Sequence, residues 1–135
     1  MVFTYCVKAD GKTYPSVKNL ADYAGVRGKA ITDVAIMCNV GKVEYRVHVL
    51  GGKWLPYVSG FNWADPVNGY AGNGKPIDAI EVIYIAPDGS SQKAQYRVSP
   101  VNGNYYDWQY NNETGGGQDG YAGSFEKKVD RFQLF

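Results

Sequence analysis

One short pattern occurs three times along this chain, and the repetition limits the possible folds more than any single residue does. Each copy opens with an apolar strand containing a tyrosine, passes through a turn dipeptide and reaches an identical Tyr-Ala-Gly tripeptide. The tripeptides begin at Tyr23, Tyr70 and Tyr121, which lie 47 and then 51 residues apart. Regular spacing of this length is typical of one supersecondary unit used repeatedly.

The three copies fill the chain. They span about residues 3–41, 43–89 and 94–135 of the 135 residues, which is the usual length of one domain. We therefore predict a single domain, 1–135, built from three units of roughly 45 residues each.

The opening segment of each copy has the period of a half-buried strand. In the second copy Val43, Tyr45, Val47 and Val49 alternate with polar or charged residues. Tyrosines hold the equivalent apolar position in all three copies, so we expect them in the core: Tyr5, Tyr45 and Tyr96.

A turn dipeptide follows each opening strand: Asp10-Gly11, Gly51-Gly52 and Asn102-Gly103. Residues of these types tolerate a positive φ at both central positions of a type I′ turn. The sequence therefore predicts a β-hairpin with a type I′ turn at the start of every copy.

No segment has a helical pattern, and each copy closes with another apolar strand, around Ile31, Ile77 or Val129. Three units of several short strands favour a closed all-β fold with pseudo-threefold symmetry, because closure removes exposed sheet edges. The β-trefoil is our preferred architecture. A β-prism, in which each copy forms its own sheet, is the alternative, because periodicity does not separate the two.

Charge and composition argue against several classes of function. The net charge of +1 comes from 14 basic and 13 acidic residues spread along the chain, so neither a nucleic acid nor an anionic membrane is an expected partner. No metal cluster or cofactor motif is present. The only histidine, His48, lies on the outward face of a strand, where we expect it to be solvated. We therefore expect no enzymatic activity.

Both cysteines lie in the first copy, Cys6 in its opening strand and Cys38 at the end of its closing strand. They could form one disulfide if these strands are neighbours, or remain two buried thiols. The spacing leaves both possibilities open.

The copies differ most in the loop before the Tyr-Ala-Gly tripeptide, and variable loops on a constant scaffold are where binding usually occurs. This loop is short in the first copy (18–22) and long in the others (59–69 and 110–120). Aromatic rings with nearby amides and carboxylates suit a sugar site. The candidate ligand-binding residues are Trp54, Tyr57, Trp63, Asp65, Asn68, Tyr70, Trp108, Tyr110, Asn112, Asp119 and Tyr121.

Trp63 and the tripeptide tyrosines differ in how they recur among the copies. Trp63 has no counterpart in the other copies and is the leading candidate for an exposed contact. The tyrosine of the tripeptide has a counterpart in every copy, so the tripeptide either forms a structural layer beside a conformationally demanding glycine or lines three equivalent pockets.

The second copy resembles a known family. Tyr45–Val49, Trp54–Val58, Ala71–Gly74 and Ile77–Val82 are similar to the Tyr-x-x-His-Val, Gly-Trp-x-x-Trp-Val, Ala-Gly-x-x-Gly and Glu-x-Ile-x-Ile elements of the clostridial hydrophobic repeat. The resemblance implies a binding module of secreted or cell-wall proteins of Gram-positive bacteria, in which a catalytic domain often accompanies such repeats.

From the aromatic loops and this resemblance we expect a non-catalytic, lectin-like carbohydrate-binding module. It would come from an extracellular or cell-wall-associated bacterial or phage protein and bind polysaccharide or peptidoglycan glycan. The alternative is a protein-interaction or structural domain that positions a catalytic neighbour or a partner, because surface aromatic residues also serve protein interfaces.

Overall fold

The computed structural model describes residues 1–135 and confirms an all-β chain, with fourteen strands and one short 3₁₀ helix, Asn19–Ala21. The six long strands are β1 (Phe3–Ala9), β5 (Ile31–Cys38), β6 (Lys42–Val49), β8 (Ile77–Ile85), β9 (Gln95–Pro100) and β14 (Val129–Leu134). The short strands are β2 (Lys12–Thr13), β3 (Val17–Lys18), β4 (Ala24–Gly25), β7 (Ala71–Gly72), β10 (Gln109–Tyr110), β11 (Thr114–Gly115), β12 (Gln118–Asp119) and β13 (Ala122–Gly123). None of the helical structure is long and apolar enough to span a bilayer.

Three antiparallel sheets share one plan. In each, the opening and closing strands of one copy pair with each other, and a two-residue strand from a different copy pairs with the closing strand: β1-β5-β7, β6-β8-β13 and β9-β14-β4. Strands β2 and β3 also pair with β1, β10 pairs with β9, and β11 and β12 form a separate hairpin. No sheet closes on itself, so the closure that we expected is not made within any one sheet.

The two-residue strand exchanged between copies is the Ala-Gly of the tripeptide. Its alanine is buried in every copy, and its glycine lies against the backbone of the partner strand. Gly25 has a φ of +106°, and a side chain there would collide with the carbonyl oxygen of Asp130. A non-glycine residue is disfavoured by both the dihedral angle and the contact. The Ala-Gly half of the tripeptide is therefore structural.

The core contains 24 apolar residues contributed by all three sheets. The prediction for the opening tyrosines is confirmed: Tyr5, Tyr45 and Tyr96 are each 0% exposed. Their hydroxyls donate to the carbonyl oxygens of Asn19, Gly60 and Asn111 at 2.5, 2.6 and 2.7 Å. Burial raises the pKa of Tyr5 to about 12 and raises the pKa values of the other two as well. Each phenol thus anchors the loop of its own copy to the core.

The type I′ prediction holds only in the first copy, where Asp10 and Gly11 have φ values of +55° and +72°. In the second copy the amide of Gly52 donates to the carbonyl of Val49 at 2.8 Å, and only Gly51 of the dipeptide has a positive φ. The third copy repeats this geometry at Pro100–Gly103. In these two turns one additional residue lies between the strand and the dipeptide, so the second residue of the dipeptide, Gly52 or Gly103, is the last residue of the turn. A positive φ at the third residue alone is the type II requirement.

The cysteines are free thiols. Cys6 pairs with Ala35 and Cys38 pairs with Phe3, so the two positions are three residues apart along neighbouring strands. That offset is about 10 Å, beyond the Cα separation that a disulfide spans.

We expect two reactive thiols per chain when the purified protein is denatured without reductant and treated with an alkylating reagent. Intact mass measurement gives the number of thiols directly. A chain carrying no alkyl groups would indicate a disulfide and contradict the register of β1 and β5.

Candidate binding grooves

Each copy contains one groove, located between the segment that follows its hairpin turn and the Tyr-Ala-Gly tripeptide. The first groove is lined by residues within 14–26, the second by residues within 55–72 and the third by residues within 106–125. Their volumes are about 440, 320 and 530 Å³. The tripeptide tyrosine lines every groove: Tyr23, Tyr70 and Tyr121.

Strand register shows which residues correspond between the grooves. The core tyrosines Tyr5, Tyr45 and Tyr96 face Val17, Val58 and Gln109, which makes these three positions equivalent. Two residues earlier lie Pro15, Pro56 and Asp107, and two residues before the tripeptides lie Ala21, Asn68 and Asp119. The third groove alone has a hydrogen-bonding or charged side chain at all three positions.

The third groove has an aromatic platform. The rings of Tyr121 and Phe125 stack with centroids 5.0 Å apart and an interplanar angle of 8°, and Phe125 is 44% exposed. The ring of His48 stacks on Phe125 at 4.2 Å. The rings of Trp54 and Tyr121 form a T-shaped pair with centroids 5.6 Å apart. The platform of the third copy is therefore supported by two side chains of the second.

His48 is not solvated as we expected. Its side chain is only 12% exposed, and Nδ1 lies 2.7 Å from Oδ1 of the buried Asp78. The other oxygen of Asp78 accepts the backbone N–H of Glu126 at 2.8 Å. The prediction was wrong because the turn after the third tripeptide covers this face of β6, and alternation within β6 does not show a cover that comes from another copy.

The polar side of the third groove contains an incompletely satisfied glutamine. Gln109 is 3% exposed, and its Oε1 accepts the backbone N–H of Asp119 at 2.8 Å. Its Nε2 donates to no protein atom and is not fully buried, so solvent reaches it. Asp107 and Asp119 are exposed, and neither forms an ion pair. The groove thus offers one free amide donor and two free carboxylates beside the aromatic platform.

Other predicted aromatic residues pack around arginines. The guanidinium carbon of Arg46 lies 4.5 Å from the ring centroids of both Trp54 and Tyr57, and Nη2 is 3.1 Å from Oε1 of Glu81. The hydroxyl of Tyr57 donates to the other oxygen of Glu81. Burial, reinforced by Glu81, raises the pKa of Tyr57 to about 12.

A second stack of this kind lies in the third copy. The guanidinium of Arg97 lies 4.1 Å from the ring centroid of Tyr105 and 4.4 Å from that of Trp108. Its Nε and Nη2 donate to Oε1 of Gln133. Trp54, Tyr57 and Trp108 therefore have packing partners within the chain, and none of them lines a groove.

The long loop of the second copy folds against its neighbours. Trp63 is partly buried, with its ring 5.2 Å from that of Tyr70 and the Nζ of Lys8 4.6 Å from its centroid. Asp65 Oδ1 accepts the N–H groups of Val67 and Asn68. Asn68 Oδ1 in turn accepts the N–H of Ser59. These contacts give Trp63, Asp65 and Asn68 structural roles in the loop.

In the third copy Tyr110 lines a different cavity, beside Met1 and Phe135, and the exposed Asn112 lines none of the grooves. Asp119 and Tyr121 are brought together in the third groove, and Tyr70 lies in the second. Sequence reasoning missed Asp107, Gln109 and Phe125 as groove residues. Asp107 and Gln109 could have been found by comparing the copies, because the equivalent residues are proline and valine in both of the others.

No protein-family model, curated protein or solved structure matches this chain.

Proposed function

We propose that the chain is a non-catalytic carbohydrate-binding module and that the third groove is its principal site. The observation that carries this proposal is the stacked pair Tyr121 and Phe125 next to the free amide of Gln109 and the carboxylate of Asp119. Aromatic faces pack against the C–H face of a pyranose, while amides and carboxylates bind its hydroxyls.

The proposal includes a β-trefoil-like arrangement and an extracellular setting. Three sheets of one plan, each containing strands of two copies, support a trefoil better than a prism, in which every copy forms a sheet of its own. The resemblance of the second copy to the clostridial hydrophobic repeat supports a cell-wall or other polysaccharide ligand, in a secreted Gram-positive or phage protein with a catalytic neighbour.

Replacing both Tyr121 and Phe125 with alanine is expected to lower retention on purified peptidoglycan or polysaccharide about tenfold, because stacking contributes on the order of 1 kcal/mol per ring pair. Retention is measured by cosedimentation of the purified chain with the insoluble glycan.

The matched control is Ile85→Ala. Ile85 is 45% exposed, close to the 44% of Phe125, but lines none of the three grooves. It should leave retention unchanged. Equal retention of the Tyr121 and Phe125 double variant and the unmodified chain, with the fold intact by circular dichroism, would remove the third groove from the binding site.

One observation favours the alternative, a protein-interaction or structural domain. The second groove is lined without any charged residue, and Val67 at its edge is 82% exposed. Exposed apolar residues of this kind occur at protein interfaces. A chain that binds no glycan but forms a stoichiometric complex with a partner protein, lost in Val67→Ser, would support this alternative.

A further inference from the structure

We infer that the third groove prefers glycans carrying free amino groups, of the glucosamine-polymer class, over N-acetylated or acidic glycans. This inference rests on the proposed function, since it names the ligand class of the same groove.

The third groove is acidic. Asp107 and Asp119 line it, both exposed and both without an ion-pair partner, and no lysine, arginine or histidine shares the lining. Two carboxylates in one groove repel each other, and a cation between or beside them lowers that repulsion. A sugar ammonium supplies the cation, whereas a uronic or lactyl carboxylate adds a third negative charge.

The fold does not require these carboxylates. The position of Asp107 is proline in the first and second copies, and the position of Asp119 is alanine in the first copy and asparagine in the second. Pro15 and Ala21 line the first groove and Pro56 lines the second, so grooves of the same plan form without the carboxylates. The acidic pair is therefore a feature of the third groove and not of the repeated unit.

Gln109 is the second, independent observation that points to a ligand. Its side chain is almost fully buried, Oε1 is held by the amide of Asp119, and Nε2 lacks a protein partner while lining the groove. Because Nε2 is not itself fully buried, the donor can be reached from the groove and is available to a ligand acceptor in place of water. A sugar hydroxyl is an acceptor of suitable chemistry.

The aromatic platform favours the same class. Phe125 already stacks with both His48 and Tyr121, so Tyr121 is the ring left for a pyranose. Tyr121 lines the same groove as Asp107 and Asp119, so a sugar stacked on it lies in the acidic groove. An ammonium near an aromatic face also gains cation–π attraction. Acetylation removes the positive charge, so an N-acetylated sugar keeps stacking but loses both electrostatic contributions.

The experiment titrates the intact chain with a glucosamine tetramer, its fully N-acetylated counterpart and a uronic acid tetramer, by isothermal calorimetry. We expect the glucosamine tetramer to bind three- to tenfold more tightly than the acetylated one, as two exposed ion pairs would give. The preference should shrink as salt is raised, because exposed charges are screened. The uronic acid tetramer should bind weakest.

The double variant Asp107→Asn with Asp119→Asn should bring the ratio of the two affinities to about one. Glu44→Gln removes an exposed charge outside the groove and should keep the ratio of the unmodified chain. Equal affinity for the two tetramers, or a preference that survives in the double variant, would overturn the inference. Binding of the acetylated tetramer in either case leaves the proposed function standing, whereas absence of binding to all three tetramers and to peptidoglycan rejects both.

Discussion

Gly25→Ala is expected to destabilise the fold by about 4 kcal/mol or more. Gly25 combines a φ of +106° with direct contact against the carbonyl oxygen of Asp130, so a methyl group there both strains the backbone and pushes β4 away from β14. Separation of these strands breaks the pairing of Gly25 with Arg131 and exposes the buried Ala24. The free energy of unfolding, measured by denaturant titration, tests the prediction.

Gly51→Ala is the matched control. Gly51 also has a positive φ, +67°, but no atom lies within 4 Å of the position of an added Cβ. Only the dihedral cost of about 1–2 kcal/mol should appear. Equal destabilisation by the two substitutions would mean that the contact with the carbonyl contributes nothing, and that the exchanged strand is not closely packed.

Asp130→Ala is expected to cost about 3 kcal/mol, because it leaves several buried donors without an acceptor. Asp130 is 0% exposed, and its carboxylate accepts the backbone N–H groups of Gly28 and Asn102 at 2.7 and 2.8 Å. It also accepts the hydroxyl of Ser99 and Nε of Arg131. Asp107→Ala, at an exposed position, should change stability by less than about 0.5 kcal/mol.

Lowering the pH should remove the stabilisation that the Asp130 carboxylate gives the fold. Burial alone would raise the pKa of Asp130, but the hydrogen bonds that it accepts outweigh burial and hold the pKa below the ordinary aspartate value. A carboxyl with a depressed pKa in the folded state stabilises the fold above its unfolded pKa. That stabilisation disappears as the pH falls through the folded pKa. Asp130→Asn should therefore show a weaker loss of stability between neutral pH and acid than the unmodified chain, and identical pH profiles would contradict this.

Local sequence patterns were sufficient for much of the fold. Alternation in Val43–Val49 predicted a half-buried strand, and the equivalence of Tyr5, Tyr45 and Tyr96 predicted three core phenols. Both features depend on neighbours within one hairpin, where residues two apart share a face. The first turn, Asp10-Gly11, was predictable for the same reason.

Features of the site that depend on contacts between different copies could not be predicted from the sequence. Nothing near His48 in the sequence indicates that Phe125, 77 residues later, stacks on it. Trp63 was expected to project freely, but it packs beside Lys8 of the first copy. The third groove was only partly identified because its defining residues, Asp107 and Gln109, become informative only after strand register aligns them with their counterparts.

The exchange of short strands between copies also affects the order in which parts of the chain can fold. Strand β4, near the beginning of the chain, pairs with β14, which ends at Leu134, so this pair joins segments more than a hundred residues apart. Contacts at such separation form late, because a long loop must be closed before they stabilise anything. During synthesis the first copy therefore keeps an unpaired edge until the third has been made, and the three copies are expected to become stable together.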